Sequence, residues 1–560
     1  MYTQDFDPVS SSLGLSSIFA VLPVLVLFVL LGGLRLAAQW AALAALGVAM
    51  LVALIVYGMP VDQTLLSASE GAVFGLFPIM WIVVAAIWIY NMTVETGYFA
   101  VLRRSFGAVS NDQRVQAVII AFCFGALLEA LAGFGTPVAI TAVMLIALGF
   151  QPIKAAAVAL VANTAPVAFG AIAIPIVTLA EITGLPKEDL GAMVGRQTPF
   201  LALIVPLILI GMVDGSRGIR QAWPAAVVGG FTFALAQFLC SNYISVELTD
   251  IVAALVATGS IVLLLRVWQP SEPLIGDDGD GRFRRPAVAG SETHDPQMEA
   301  EVRRRDDTVK DPPGDVLRAY SPYLIIIAIF SIAQIPAIKD ALAESPWTIT
   351  FQWPGLDVVD PEGEPLSSLT FNFNWLPAAG TLLLISGLLT MAVLRVSPGR
   401  ALKVAGSSLD QLKWAILTVS AVLALAYVMN QSGQTITLGL WAAGAGDFFA
   451  FLSSLIGWLG VAVTGSDTSS NALFGALQVT AAEDAGISPT LLAAANSSGG
   501  VLGKMVSPQN LAIGAAAVGL AGREGDLFRK VLGWSLVLVL VMCVLVYLQS
   551  TAVLDWMVVK

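Results

Sequence analysis

Charge is what this chain has least of. Only 12% of its 560 residues are Asp, Glu, Lys or Arg, about half the share of a soluble domain. Histidine occurs once, at His294 in a polar stretch, which excludes a histidine-rich metal site and an intramembrane histidine relay. Cys123, Cys240 and Cys543 each sit in an apolar run and read as small core residues, so no disulfide or metal framework is expected. A formal net charge of −11 argues against nucleic-acid partners. No phosphate-cradling Lys-Ser/Thr follows the glycines, and no nucleophile triad or zinc spacing occurs. The chain therefore reads as no enzyme and calls for no cofactor, and uphill work would draw on an ion gradient.

Apolar sequence fills the space. Hydrophobic residues make up 57% of the chain. Residues 16–34, 36–57, 71–90, 222–240, 376–394 and 531–548 form continuous apolar runs, near the ~20 residues that a helix needs to cross ~30 Å of hydrocarbon. They lack the alternation of barrel strands, and a helix satisfies its own backbone in lipid. The expectation is an all-α integral membrane protein of roughly 12–14 transmembrane helices, counting interrupted ones.

Basic residues orient such a chain. Arg35, Arg103/Arg104/Arg114, Arg217/Arg220, the Arg-rich residues 282–318, Arg395/Arg400/Lys403/Lys413 and Arg523/Arg529/Lys530 should be cytoplasmic. Asp62 and Glu70, Glu247 and Asp250, and residues 357–364 should be external, with both termini outside. Asp5 and Asp7 stand where a cleaved signal would be basic, which predicts that the first run stays as a span. Residues 269–317 carry few apolar groups and read as a disordered cytoplasmic linker. It separates a membrane half at 1–268 from another at 318–560.

The halves echo each other. Gly133-Phe134-Gly135-Thr136 and, further on, Asn163-Thr164 in the first answer to Gly465-Ser466-Asp467-Thr468 and Asn496-Ser497 in the second. Asn163 precedes Gly170 by seven positions, as Asn496 precedes Gly503, and Asn163 precedes Pro175 by twelve, as Asn496 precedes Pro508. Two structural repeats are expected, at about 60–215 and 396–522, each with broken helices or re-entrant hairpins. Their symmetry, inverted or parallel, stays open. Matched Gly/Pro interruptions in two halves of a membrane chain point to a transporter's binding site.

Three charges stand out. Glu129 is alone in a long apolar run, where a charge costs ~2.5–3.5 kcal/mol on insertion scales. It is either a proton carrier or a structural carboxyl satisfied by helix ends. Asp467 lies in the eight small or polar residues 464–471, which read as an unwound break. It is a second proton-carrier candidate and also a candidate cap for the helix beyond. Lys504 is a cation beside the second break, suited to a carboxylate substrate or simply facing the cytoplasm. Neutral contacts to an anion would come from Gly133, Phe134, Gly135, Thr136, Asn163, Thr164, Gly465, Ser466, Thr468, Ser469, Ser470, Asn496 and Ser497, helped by free N–H groups at half-helix N-termini. Small polar residues also glue helices together.

Several stretches resemble the L-lactate permease family: residues 122–126 with Glu129 and 132–142, Asn163-Thr164-Ala165-Pro166-Val167-Ala168-Phe169-Gly170-Ala171, residues 193–197, residues 464–474, and Gly503-Lys504-Met505 with Ser507-Pro508-Gln509. The likeness runs almost end to end, the linker and residues 345–374 excepted. It implies a multi-pass symporter of the bacterial inner membrane. Its partners would be a lipid bilayer, a proton and a short 2-hydroxymonocarboxylate such as L-lactate, D-lactate or glycolate. The oligomeric state is left open. A sodium-coupled carboxylate carrier and an anion channel are the alternative readings.

Overall fold

The computed structural model describes residues 1–560 apart from 35, 108, 111, 134, 275–310, 334, 367–368, 521–522 and 560. Arg35, Phe134 and most of the expected linker therefore lie outside the described residues. The linker's last residues are helical, because the Pro313–Ala333 helix begins inside it.

Ten described stretches are long and apolar enough to cross a bilayer, and the pair Pro152–Ala162 with Val167–Thr183, bent by 64°, makes eleven. One of the ten, Lys187–Tyr243, runs 57 residues and leaves helical geometry at Asp214 and Gly215. That is more than one crossing's worth of helix at 1.5 Å per residue. The protein is a multi-pass helical membrane protein, and the interrupted stretches supply the crossings expected beyond the continuous ones. Strands are short and few. Ile349–Gln352 pairs antiparallel with Thr370–Phe373, and Tyr2–Thr3 pairs parallel with Val358–Val359.

Polar contacts sort the connecting segments onto two faces. On one, the Tyr2 strand meets Val358, Lys339 pairs with Glu188 at 3.4 Å, and Lys187 pairs with Glu247 at 2.5 Å. Arg196 there donates to Asn242 Oδ1 and to the Met557 carbonyl. On the other, buried Arg114 holds Asp112 at 2.7 Å and Asp214 at 3.1 Å and donates to the Glu272 carbonyl. Arg104 pairs there with Asp311 at 2.8 Å, and its hydrogen bond holds the Asp311 carboxyl below the usual carboxylate range. Arg217 reaches the same segment, pairing with Glu272 at 2.8 Å, so Arg104, Arg114 and Arg217 gather on one face. Asp250 departs from expectation: it is fully buried among helices instead of lying in a surface loop with Glu247.

The repeats are inverted. Val61–Glu95 and Pro398–Ser432 are both 35 residues long and pack antiparallel. Gln431, near the end of the second, donates to Glu70 Oε2, near the start of the first, at 2.7 Å. Trp88, near the end of the first, donates to the Ala401 carbonyl near the start of the second at 3.0 Å. Each long helix leads to a ten-residue helix, Tyr98–Gly107 or Gln434–Ala443, and then to a helical hairpin.

The first hairpin rises through 113–131, turns at Gly133 and Gly135, where φ is 32° and 81°, and returns as Thr136–Ala147. Gln113 Nε2 donates to the Leu148 carbonyl across its base at 3.0 Å. The second rises as Phe449–Thr464, turns at Gly465 with φ 76°, and returns as Asp467–Asp484. Ser470 Oγ donates to the Gly457 carbonyl across its arms at 3.2 Å. Positive φ at each tip is what glycine permits without a Cβ clash. A helix with Pro at its first position follows each hairpin, Pro152–Ala162 and Pro489–Gly503, where the missing N–H costs nothing.

The second hairpin is packed backbone to backbone. A Cβ at Gly499 would run into the Ser454 backbone, and one at Gly457 into the Asn496 backbone. Gly499→Ala is expected to destabilise by about 1–3 kcal/mol through overpacking. A thermal midpoint of the purified variant equal to the parent's would contradict this close approach.

Candidate functional site

Four interruptions converge in the interior: the two hairpin tips and a break in each following helix. The first broken helix stops at Ala162 and restarts at Gly170. The second stops at Gly503, makes one tight turn over Lys504–Val506, and restarts as Pro508–Ala517. Ser507 caps the restart by accepting from Asn510 N at 3.4 Å, which satisfies one of the orphan donors of a helix start. Both tips press on this restart. A side chain at Gly135 would strike Ile513, and one at Gly465 would meet Gln509.

Glu129 and Lys504 meet at the centre. Glu129 is 3% exposed and Lys504 7%, and their Oε1–Nζ distance is 2.6 Å. Asn163 Nδ2 donates to the other oxygen, Oε2, at 2.9 Å. The pair joins the first repeat to the second. Burying two charges is tolerated when each compensates the other at this range, and loss of either strands its partner. A Cβ at Gly170 would lie 2.9 Å from Glu129 Oε1, so glycine there leaves the carboxylate its room. Ala171, Ile172 and Ala173 follow with φ of 45°, 58° and 58°. Left-handed backbone costs an L-residue ~1–2 kcal/mol, and such strain gathers at functional sites.

Asp467 lies in the second hairpin. Its Oδ2 accepts from Ser497 Oγ at 2.6 Å, while its buried Oδ1 has no hydrogen-bond partner. Gly500 gives it space, since a Cβ there would overlap Oδ1. Asn496 sits deeper. Its Nδ2 donates to Asn471 Oδ1 at 2.9 Å and its Oδ1 accepts from Gln478 Nε2 at 3.1 Å. Asn471 Nδ2 donates in turn to the Pro175 carbonyl at 3.0 Å, a second tie between repeats. Asn163 Oδ1 and Ser498 Oγ are also buried without partners. Buried polar atoms are ordinarily paired, so these are positions open to a ligand.

Several expectations are corrected. Asn496, Ser497 and Ser498 do not interrupt a helix; they lie inside Pro489–Gly503, and the break falls later, at residues 504–507. Residues 464–471 are not unwound throughout, because the helix restarts at Asp467. Ser466, not Asp467, caps it, accepting from Ser469 N at 3.2 Å. Lys504 is no free cation awaiting an anion; it is already paired. Thr136, Thr468 and Ser466 are half-buried at the helix restarts, and Thr164, Ser469 and Ser470 are buried. The hydroxyls of Thr164 and Ser470 donate to the Val161 and Gly457 carbonyls.

Sequence reading also missed residues. Gln478 and Asn510 complete the polar set, and both left a signal. Asn471 and Gln478 are seven apart, one face of a helix. Ser507-Pro508 before an apolar run is a helix-start signature.

The family model for L-lactate permease matches residues 16–553. The chain belongs to the L-lactate permease family. It is 42% identical to the L-lactate permease of Escherichia coli (strain K12) over 569 residues, covering 100% of both chains. It is 41% identical to the glycolate permease GlcA of the same strain, covering 98% of both. The structure of Neisseria gonorrhoeae MtrF, from work on a class of antimetabolite efflux pumps, aligns with TM-score 0.45 and 14% identity, covering 87% of this chain and 83% of its own. Membership of a permease family agrees with the reading as a transporter instead of an enzyme. In this L-lactate permease family member, the motifs around 129–136, 163–171, 464–474 and 503–509 are those that build the four converging interruptions.

Proposed function

We propose that the protein carries L-lactate, glycolate and related 2-hydroxymonocarboxylates across the bacterial inner membrane together with a proton. The observation that carries this reading is the buried Glu129–Lys504 pair between two hairpin tips. An arriving carboxylate competes with Glu129 for the Lys504 ammonium. The displaced Glu129 carboxylate, no longer compensated, takes a proton. Before loading, the pair sums to zero charge; after loading, substrate and Lys504 sum to zero and Glu129 is neutral. Anion and proton therefore enter as a unit, and no net charge is dragged through the apolar interior. The unpartnered oxygens of Asn163 and Ser498 suit the 2-hydroxyl group of the substrate. Asp467, with one free oxygen, is the second candidate for the proton. The positive-inside bias supports an Arg114 face toward the cytoplasm and a Tyr2 face outside, with the segment 269–317 cytoplasmic. The domain limits 1–268 and 318–560 belong to the same proposal.

Lactate uptake into proteoliposomes tests this directly. A proton gradient of inside-alkaline sign should drive accumulation, a protonophore should abolish it, and replacing sodium by potassium or choline should leave it unchanged. Dependence on sodium with indifference to the protonophore would make it a sodium-coupled carrier, and non-saturating conductance would make it a channel.

A further inference from the structure

Asp250 is a third carboxyl deep in the molecule. It is 0% exposed, on the Thr249–Val267 helix. No Lys, Arg or His pairs with it among the described residues. Gln237 Nε2 alone donates to it, reaching Oδ1 at 3.2 Å, while Oδ2 is buried without a partner. The same Nε2 donates to the Ala165 carbonyl at 3.3 Å, inside the break of the first helix and two residues from Asn163. Thr198 Oγ1 fixes the amide by lying 3.2 Å from Gln237 Oε1. The Gly125–Ala132 helix, which carries Glu129, packs against the Asp250 helix. A string of polar groups thus runs from Asp250 through Gln237 to the Ala165 carbonyl, and Asn163, two residues back along the chain, bonds to Glu129.

On its other side the string points to the Tyr2 face. Cys240, one helical turn from Gln237, donates from Sγ to the Ser245 carbonyl at 3.4 Å. Ser245 Oγ donates to Glu247 Oε2 at 2.7 Å, and Glu247 pairs with Lys187 near the surface. The titratable groups facing the Asp250 helix are therefore Glu129 from the first hairpin, Cys240 from the preceding helix, Glu247 from the connecting loop, and Cys123, which faces Thr258 further along. None supplies a positive charge.

We propose that Asp250 is the proton-delivering carboxyl of the transport site. It holds a proton while Glu129 is ionised against Lys504. When a substrate carboxylate takes Lys504, the Asp250 proton passes to the Glu129 carboxylate, leaving Asp250 as a carboxylate. A hydronium from the Tyr2 face then returns the proton and leaves water. The sum is one proton and one anion loaded. An uncompensated carboxylate buried in an apolar bundle is costly, so at most one of the two carboxyls lacks both a proton and a cation at any step. This inference rests on the proposed proton coupling.

The test compares two readouts for D250N in proteoliposomes: accumulation driven by a pH gradient, and lactate counterflow at equal pH, which needs no net proton delivery. Asn keeps the acceptor for Gln237 but carries no proton. The ratio of accumulation to counterflow is expected to fall about tenfold or more, and Asp250→Glu should restore it. An unchanged ratio, or equal loss of both activities, overturns the proposal and leaves Asp250 a brace for the break. Should D250N fail to fold, the infrared spectrum of the lactate-free protein decides: a protonated-carboxyl component must be present at neutral pH and must shift in Asp250→Glu, and the absence of any component that shifts sinks the idea. If the parent protein ignores the protonophore, the coupling reading itself has failed, and this one with it.

Discussion

Glu129→Gln is expected to cut proton-driven lactate accumulation about 100-fold or more, the scale of losing one partner of a buried ion pair, about 3–5 kcal/mol. Gln keeps an oxygen for the Asn163 amide, which now stands 2.9 Å from Oε2, but it binds no proton. It also leaves Lys504 as a buried cation without its 2.6 Å partner. Two results follow from one geometry. The variant should unfold at lower temperature than the parent when empty, and added lactate should recover more stability in it than in the parent, because the substrate carboxylate replaces the missing charge. Uptake should lose its dependence on external pH. Normal accumulation against a pH gradient by this variant would remove Glu129 from coupling and move the proton to Asp467.

Lys504→Gln should be as severe for a different reason. It strands Glu129 as a buried carboxylate and removes the cation that the substrate needs, so kcat/KM for uptake should drop about 100-fold or more, through KM before kcat. The double variant E129Q/K504Q separates structure from transport. Both charges are then gone, and replacing a buried pair by neutral groups is often close to neutral for stability. Its unfolding midpoint should approach the parent's, with a large coupling energy in the double-mutant cycle, while uptake stays lost. If the double variant is no more stable than either single one, the pair is not coupled as its geometry requires.

Glu129, Asp467 and Lys504 were visible because a charge in an apolar run is costly wherever it lies along the chain. The hairpin tips were visible because Gly133, Gly135 and Gly465 interrupt runs that lipid would otherwise keep helical. Asn496 misled. Its spacing matched Asn163, yet Asn163 ends a helix and Asn496 lies within one. Its side chain bonds to Asn471 and Gln478 and leaves the backbone ladder intact. Asp250 misled in the opposite direction, since proximity to Glu247 suggested a surface loop, whereas the helix beginning at Thr249 carries it inward.

The sequence by itself determined the environment of the chain, its helices, the glycine turns of the hairpin tips and the charges that must be compensated. Each of these follows from local rules: apolar length against bilayer thickness, backbone satisfaction within a segment, glycine where φ is positive. Tertiary structure alone decided that the repeats run in opposite directions and that Glu129 compensates Lys504 across 375 positions of sequence. Compensation is a property of distance in space, and the antiparallel packing of two 35-residue helices sets which distant residues come within reach.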